Sequence, residues 1–204
     1  MKIKSVFEKN FLYLFTGNSL SQLLPLFFAP VIARLYTREE MGGLAHFTAL
    51  VGLISIVAAA RYEFAVVLPK EEKKAKNIFA LSLLITAIVV TLSAGLMLLS
   101  DQLENWYHNL DLVFFLKYVF VAVLVLALNS IFTQVSIRSK KFKVISVSKL
   151  LVSVGLNVLT VVFGYLKMGL TGLVIGWVLG YSLGLVPLLW ANRGWLSRKY
   201  ISKQ

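Results

Sequence analysis

The hydrophobic positions of the chain fall into six long blocks, separated by clusters of charged residues or by glycine turns. A helix needs roughly 20 consecutive apolar residues to cross the hydrocarbon core of a bilayer. Blocks of this length therefore predict an all-α fold, a polytopic membrane bundle of six transmembrane helices. No loop is long enough to fold alone, so residues 1–204 are expected to form a single domain. The predicted spans cover residues 11–36, 43–68, 78–99, 112–137, 144–166 and 170–190.

The composition supports this reading. Hydrophobic residues make up 58% of the chain, charged residues only 15%, and the mean hydropathy is +0.80. A soluble domain usually has about a quarter of its residues charged. This chain cannot cover itself with a water-compatible surface, which excludes an ordinary soluble protein.

The basic residues indicate how the helices are oriented. Of the 21 Lys and Arg residues, sixteen fall in the segments 2–9, 70–76, 138–149 and 193–203, at one end of the predicted spans. Four lie at the other end, and Arg61 falls inside a span. Because basic residues mark the cytoplasmic side, both termini are expected in the cytoplasm. The net charge of +12 therefore serves topology, and we expect no nucleic-acid partner.

Several kinds of chemistry lack the residues that they need. The chain has no cysteine, which excludes disulfides, thiolate metal sites and cysteine nucleophiles. It has no phosphate-binding Walker loop, and its two histidines, His46 and His108, are far apart in sequence. No paired acid or metal-ligand cluster suited to catalysis is visible. We therefore expect no enzyme activity, no cofactor and no metal.

Two charged residues interrupt the second predicted span. Arg61 and Glu63 would point about 200° apart on a continuous helix, so they cannot pair on one face. A charge inside the bilayer is costly and marks a candidate functional site. Arg61 either faces a central cavity and an anionic ligand, which suits its planar guanidinium, or extends to the cytoplasmic headgroups, since Lys70 is near.

Weaker polar signals occur in the other spans. Asn18, Ser21, Gln22 and Pro25 share one face of the first span, which suits either a cavity wall or hydrogen bonding between helices. Single amide residues lie further along the chain, and for them hydrogen bonding between helices is the better interpretation than substrate contact. These residues are Asn129, Gln134 and Asn157.

The sixth span carries a glycine at every fourth position. Successive members shift by about 40° around the helix axis and so form a continuous smooth strip. Small residues at this spacing let another helix approach closely. The pattern predicts close packing, either against another helix of the chain or against a second copy. The four residues are Gly172, Gly176, Gly180 and Gly184.

Four stretches, in order along the chain, resemble bacterial polysaccharide flippases. They read APVIARLYTREEMG at 29–42, RYEFAVVLP at 61–69, RSKKFK at 138–143 and GLTGLVIG at 169–176. The chain thus looks like a member of the polysaccharide transport branch of the multidrug, oligosaccharidyl-lipid and polysaccharide exporter superfamily. The resemblance covers the N-terminal six-helix lobe only, whereas family members have twelve or fourteen spans.

The resemblance implies a function and a place in the cell. It implies flipping of an undecaprenyl-pyrophosphate-linked oligosaccharide across the bacterial inner membrane, for surface polysaccharide such as lipopolysaccharide. Related proteins alternate access between two lobes around a cationic cavity. Arg61, and in addition Arg34, would meet the pyrophosphate, with Glu63, Asn18 and Gln22 as further candidates for the cavity.

The missing second lobe leaves several interpretations open. A second copy of the chain would restore two lobes as a homodimer, because both termini lie on one side. Alternatively, the chain is one lobe that lacks its partner, or a membrane remnant that binds assembly proteins without transporting. A lobe of a small-molecule exporter is a third interpretation, for which Glu63 is the sole candidate for an embedded acid.

Overall fold

The computed structural model describes the backbone of residues 2–59, 62–98 and 110–195, and the side chains of 12–56, 62–95 and 118–195. All regular secondary structure in these ranges is helical, as predicted. The α-helices are α1 (Lys2–Leu35), α2 (Arg38–Ala59), α3 (Tyr62–Ala65), α4 (Glu72–Leu98), α5 (Leu110–Arg138), α6 (Phe142–Tyr165) and α7 (Gly169–Asn192), followed by a 3-10 turn at Arg193–Trp195.

Four of the described helical segments are long and apolar enough to cross a membrane. They belong to the last four helices, which agrees with the predicted membrane character. The first helix is long, but Asn18, Gln22 and two prolines lower its mean hydropathy, and α2 opens with a charged turn. The six-span arrangement and its orientation remain predictions. The four segments are Glu72–Gly95, Tyr118–Arg138, Phe142–Tyr165 and Gly169–Trp195.

The second predicted span differs in detail from the structure. Its helix α2 begins at Arg38 rather than at residue 43, because Thr37 and Glu40 form a capping box. The Thr37 amide donates to Glu40 Oε2 at 2.7 Å, and the Glu40 amide donates to Thr37 Oγ1 at 3.2 Å. Residues 62–68 of the block form the short helix α3 and a turn that leads to Pro69.

Each helix packs against a few neighbouring helices of the bundle. The most extensive contact joins α6 and α7, and α1 packs mainly on α6. On the other side, α5 packs on α7, on α4 and on α2, while α3 lies against α4 and α5. α1 and α2 thus attach to different neighbours, and residues of both line the cavity described below.

The glycine strip of α7 packs against α6 of the same chain. All four of its glycines are buried. A Cβ at Gly180 would lie 2.8 Å from the backbone nitrogen of Leu156, and one at Gly184 would lie 2.1 Å from Val152 Cγ2. These positions therefore need glycine, because α6 occupies the space that a side chain would require.

The connection between α5 and α6 ties the basic end of the bundle together. Arg138 Nη1 donates to the carbonyl oxygens of Val66 at 3.2 Å and Pro69 at 2.6 Å. Lys141 Nζ donates to the carbonyl oxygen of Ala191 and to Asn192 Oδ1, at the end of α7. Cations are favourable at helix C-termini, where carbonyl groups lack partners. These two charges thus stabilise helix ends as well as marking the basic side.

Candidate functional site: a polar cavity

A cavity of about 620 Å³ opens among α1, α2, α3, α5, α6 and α7. This volume falls in the range of small-molecule sites. The lining combines both kinds of surface: more than half of its residues carry polar side chains, while most of the surface that they expose to the cavity is apolar. The polar lining residues are Ser21, Ser55, Glu63, Asn129, Ser130, Thr133, Gln134, Ser148, Lys149, Ser153, Asn157 and Tyr181.

Two helices supply most of this lining through regular stripes. The lining positions of α5 are 126, 127, 129, 130, 133 and 134, and those of α6 are 148, 149, 152, 153, 156 and 157. Residues three and four apart share one face of a helix. Each helix therefore presents one face to the cavity, and this face carries four polar and two apolar residues on either helix, the apolar ones being Leu126, Ala127, Val152 and Leu156.

The cavity lies nearer the basic end of the bundle. At 1.5 Å per residue, Gln134 is about 6 Å from the end of α5, and Asn157 is about 22 Å from the start of α6. Both of those helix ends belong to the basic connection, Arg138 to Phe142. A ligand in the cavity would therefore sit between this end and the middle of the bundle.

Glu63 is the acidic residue of the cavity wall. It is only 5% exposed, and Ser130 Oγ donates a hydrogen bond to its Oε1 at 3.3 Å. Its other oxygen, Oε2, is buried and has no hydrogen-bond partner. Within the described residues, the other buried side-chain oxygen without a partner is Ser55 Oγ, which lines the same cavity.

Lys149 is the basic residue of the lining. It lies on α6, and its Nζ donates to Asn18 Oδ1 of α1 at 3.0 Å. In the part of the chain that the structure describes, both ion pairs lie at the start of α4, as Lys74 with Glu71 and Lys76 with Glu72. Neither charge of the cavity is therefore neutralised by an ion pair.

The single amide residues of the later spans have mixed roles. Asn129 Nδ2 donates to the carbonyl oxygens of Val125 and Tyr181, each at 3.0 Å, and so joins α5 to α7. Asn157 Nδ2 donates to the Ser153 carbonyl of its own helix at 2.7 Å. Gln134 lines the cavity, as the other two amides do. Hydrogen bonding between helices is therefore seen for Asn129, and all three are also cavity residues.

The candidates of the first span and Arg61 are placed differently. Arg61 lies outside the described residues. Arg34 is exposed at the end of α1 and Gln22 is exposed on the same helix, and neither lines the cavity. Asn18 is half-buried and accepts the hydrogen bond from Lys149. Of the five candidates, the structure brings Glu63 to the cavity directly and Asn18 through the lysine.

Sequence reasoning missed Lys149 and Tyr181 as residues of the cavity. Lys149 lies inside the predicted span 144–166, but it was counted among the charges of the basic end. Its position six residues into an apolar block was the available signal. Tyr181 lines the cavity and packs on Trp177 with ring centroids 4.4 Å apart. In sequence this tyrosine is indistinguishable from a lipid-facing aromatic residue.

The described residues contain no group of three or more His, Asp or Glu side chains that would hold a metal ion. The polar groups around the cavity are hydroxyl and amide groups, together with one carboxylate and one ammonium. Such groups recognise a ligand through hydrogen bonds and charge.

The comparisons with known proteins give one match. A family model described as "Polysaccharide biosynthesis protein" matches residues 7–204, nearly the whole chain. No curated protein and no solved structure matches it.

Proposed function

The chain belongs to the polysaccharide biosynthesis protein family, and on that premise we propose that it is a transporter lobe rather than an enzyme. Its substrate is an undecaprenyl-pyrophosphate-linked oligosaccharide, which it flips across the bacterial inner membrane for surface polysaccharide synthesis. It acts as a half-transporter or as the N-terminal lobe of a flippase. The observation that supports this proposal is the polar cavity of about 620 Å³ within an apolar helical bundle.

The lining matches the two polar parts of such a substrate. Sugar hydroxyls both donate and accept hydrogen bonds, as do the hydroxyl and amide groups of α5 and α6. A pyrophosphate cannot cross the hydrocarbon core without compensating positive charge. Lys149 supplies such charge at the cavity wall, where its partner is the neutral amide of Asn18.

The arginine candidates extend this arrangement. We assign Arg61 the pyrophosphate as its ligand, because a guanidinium binds phosphate oxygens in a bidentate manner. Arg34 lies in the last turn of α1, at the opposite end of the helix from the basic residues 2–9. In the proposed orientation it meets the headgroup on the outward side of the membrane.

The proposed assembly has six spans per chain, both termini in the cytoplasm and a second lobe. The second lobe would complete the passage that the cavity begins. A second copy of the chain provides that lobe in a homodimer, and a separate six-helix partner is the other arrangement. Either lobe has the required orientation, because an even number of spans returns the chain to its starting side.

Complementation tests the proposal. The chain is expressed in the source strain, or in a close relative, after deletion of its own repeat-unit flippase, and surface polysaccharide is assayed by gel and antibody. We expect polymer to return, and to be lost with Arg61→Ala and reduced at least several-fold with Lys149→Gln. Lys143→Gln, at an exposed position in the first turn of α6, is the matched control and should behave as wild type.

Two results of this experiment would contradict the proposal. If all variants restore polymer equally, the charges of the cavity carry no substrate. If the protein reaches the membrane in normal amounts and no polymer returns, the chain is a non-transporting lobe, whose role is to bind assembly partners or a missing half.

One observation favours a second candidate function. Glu63 is a buried carboxylate in the cavity, as an ion-coupled exporter of small cationic molecules would require. Expression in a drug-sensitive host separates the two functions. Raised resistance that depends on Glu63, without restored polymer, would favour the exporter lobe.

A further inference from the structure

We propose that Glu63 is a specificity-determining residue of the cavity, and that with Ser130 it forms a subsite for the hydroxyl groups of a saccharide. This inference rests on the proposed function and extends it, because it divides the substrate between two walls. The sugar lies at the wall formed by α3 and α5, and the phosphate lies at the wall of α6 and α1 that carries Lys149.

The hydrogen bonding of Glu63 is the first argument. The residue is 5% exposed, its Oε1 accepts from Ser130, and its Oε2 has no hydrogen-bond partner among the residues that the structure describes. A buried acceptor without a partner costs about 1–3 kcal/mol, and more when it is charged. The arrangement is therefore incomplete without a donor from a ligand, and Glu63 faces the cavity from which that donor would come.

The neighbouring groups favour hydroxyl donors over a metal ion. Glu63 is the one carboxylate among the residues that line the cavity, whereas a hard cation with six to eight oxygen ligands usually draws on several carboxylates. Asn129 and Gln134 line the same face of α5. The Asn129 nitrogen already donates to two backbone carbonyls, so Asn129 offers a ligand only its oxygen, whereas Gln134 can both donate to and accept from a hydroxyl group.

An aromatic surface adds to this subsite. Tyr181 and Phe64 line the cavity together with Glu63, and Tyr181 is supported from behind by Trp177 at 4.4 Å between ring centroids. A sugar ring has apolar C–H faces between its hydroxyl groups, and these faces pack on aromatic rings. A carboxylate, amides and an aromatic face together form a surface with the chemistry of a sugar.

The two charges of the cavity then orient the ligand. Glu63 lies on α3, which packs on α4 and α5, while Lys149 lies on α6 and binds α1 through Asn18. They are on different walls and do not pair. A carboxylate repels phosphate and accepts from hydroxyls, and an ammonium attracts phosphate. The substrate therefore enters with its phosphate towards α6 and its sugar towards α3.

A binding experiment on the full chain tests the subsite. The protein is purified in a detergent without a sugar headgroup and titrated with methyl glycosides, and binding is followed by saturation-transfer NMR and by tryptophan fluorescence. We expect saturable binding, with a dissociation constant on the order of 1–10 mM, which corresponds to about 3–4 kcal/mol. Glu63→Gln should weaken binding at least about tenfold, and Ser130→Ala should weaken it less.

The matched control is Glu71→Gln, which removes an exposed carboxylate paired with Lys74 and should leave the affinity unchanged. Parallel titrations use sodium chloride, tetramethylammonium and glycerol 1-phosphate, the last as a soluble part of a phosphatidylglycerol headgroup. The subsite is disproved if no methyl glycoside binds saturably, if Glu63→Gln binds as wild type does, or if one of these other ligands binds at Glu63 while the glycosides do not.

The outcomes separate this inference from the proposed function. Restored polymer in the complementation assay, together with glycoside binding that does not depend on Glu63, removes the subsite and leaves the flippase. Glycoside binding that depends on Glu63, without restored polymer, keeps the subsite and points to a lobe that binds sugar without moving it.

Discussion

Tyr36 donates its phenolic hydroxyl to the backbone carbonyl of Thr160 at 2.8 Å, and so joins the end of α1 to α6. The residue is 7% exposed. A Cβ on Gly164 would lie 3.0 Å from the tyrosine ring, so the ring occupies a notch that a side chain there would fill. Because α1 packs mainly on α6, this contact helps to hold the wall of the cavity.

Tyr36→Phe tests the hydrogen bond without emptying the notch. The ring remains, and the Thr160 carbonyl loses its donor. We expect a loss of about 1 kcal/mol in the free energy of unfolding, measured by denaturant or heat on the purified protein. Tyr165→Phe, at a position 71% exposed, is the control. An equal effect of both substitutions would show that the Thr160 contact contributes nothing.

Alanine substitutions at a packed glycine of α7 and at an unpacked glycine of α4 should change the stability in opposite directions. Gly180→Ala places a methyl group 2.8 Å from the Leu156 backbone nitrogen, which cannot move without shifting α6. Overpacking of this kind costs about 1–3 kcal/mol. Gly95→Ala has no atom within 4 Å and should stabilise α4 by up to about 1 kcal/mol. Thermal unfolding of both variants checks this, and Gly180→Ala with wild-type stability would contradict the packing.

Arg138 predicts a local effect on the segment that carries Glu63. Its guanidinium binds three carbonyl oxygens, those of Val66, Val67 and Pro69. Hydrogen bonds from a charged donor are worth about 1.5–3 kcal/mol. Arg138→Ala should therefore speed amide hydrogen exchange in residues 62–71 by about tenfold or more, and Arg138→Lys should speed it less.

The control for Arg138 is Lys143→Gln, at an exposed position on the same basic connection. It should leave exchange in 62–71 unchanged. Identical exchange in wild type and Arg138→Ala would mean that the segment is held by its packing on α4 and α5 alone.

The membrane topology is testable because the chain has no cysteine. Single cysteines replace Lys73, Lys140, Arg38 or Lys167, which are exposed residues outside the apolar blocks. With six spans and both termini inside, a membrane-impermeant maleimide added to intact cells should label positions 38 and 167 and spare 73 and 140 until the cells are opened. Labelling of 73 from outside would reverse or disprove the orientation.

The hydrophobic pattern by itself determined that the chain is helical and belongs in a membrane. Blocks of more than twenty apolar residues have no other stable form in a bilayer, because each helix satisfies its own backbone hydrogen bonds. The spacing of four between glycines likewise determined that one face of α7 packs closely. The approximate positions of the last four helices followed from these local features. The start of α2 did not, because it depends on the cap formed by Thr37 and Glu40.

The tertiary structure alone decided which polar residues share a cavity. Asn18 and Gln22 lie one turn apart on α1, yet Asn18 binds Lys149 and Gln22 is exposed. Glu63 and Ser130 are 67 positions apart and meet through the packing of α3 on α5. Periodicity places a residue on a face of its own helix, but the facing neighbour depends on how all the helices pack. That packing is a non-local property, which is why the partner of Lys149 and its place in the cavity follow only from the assembled helices.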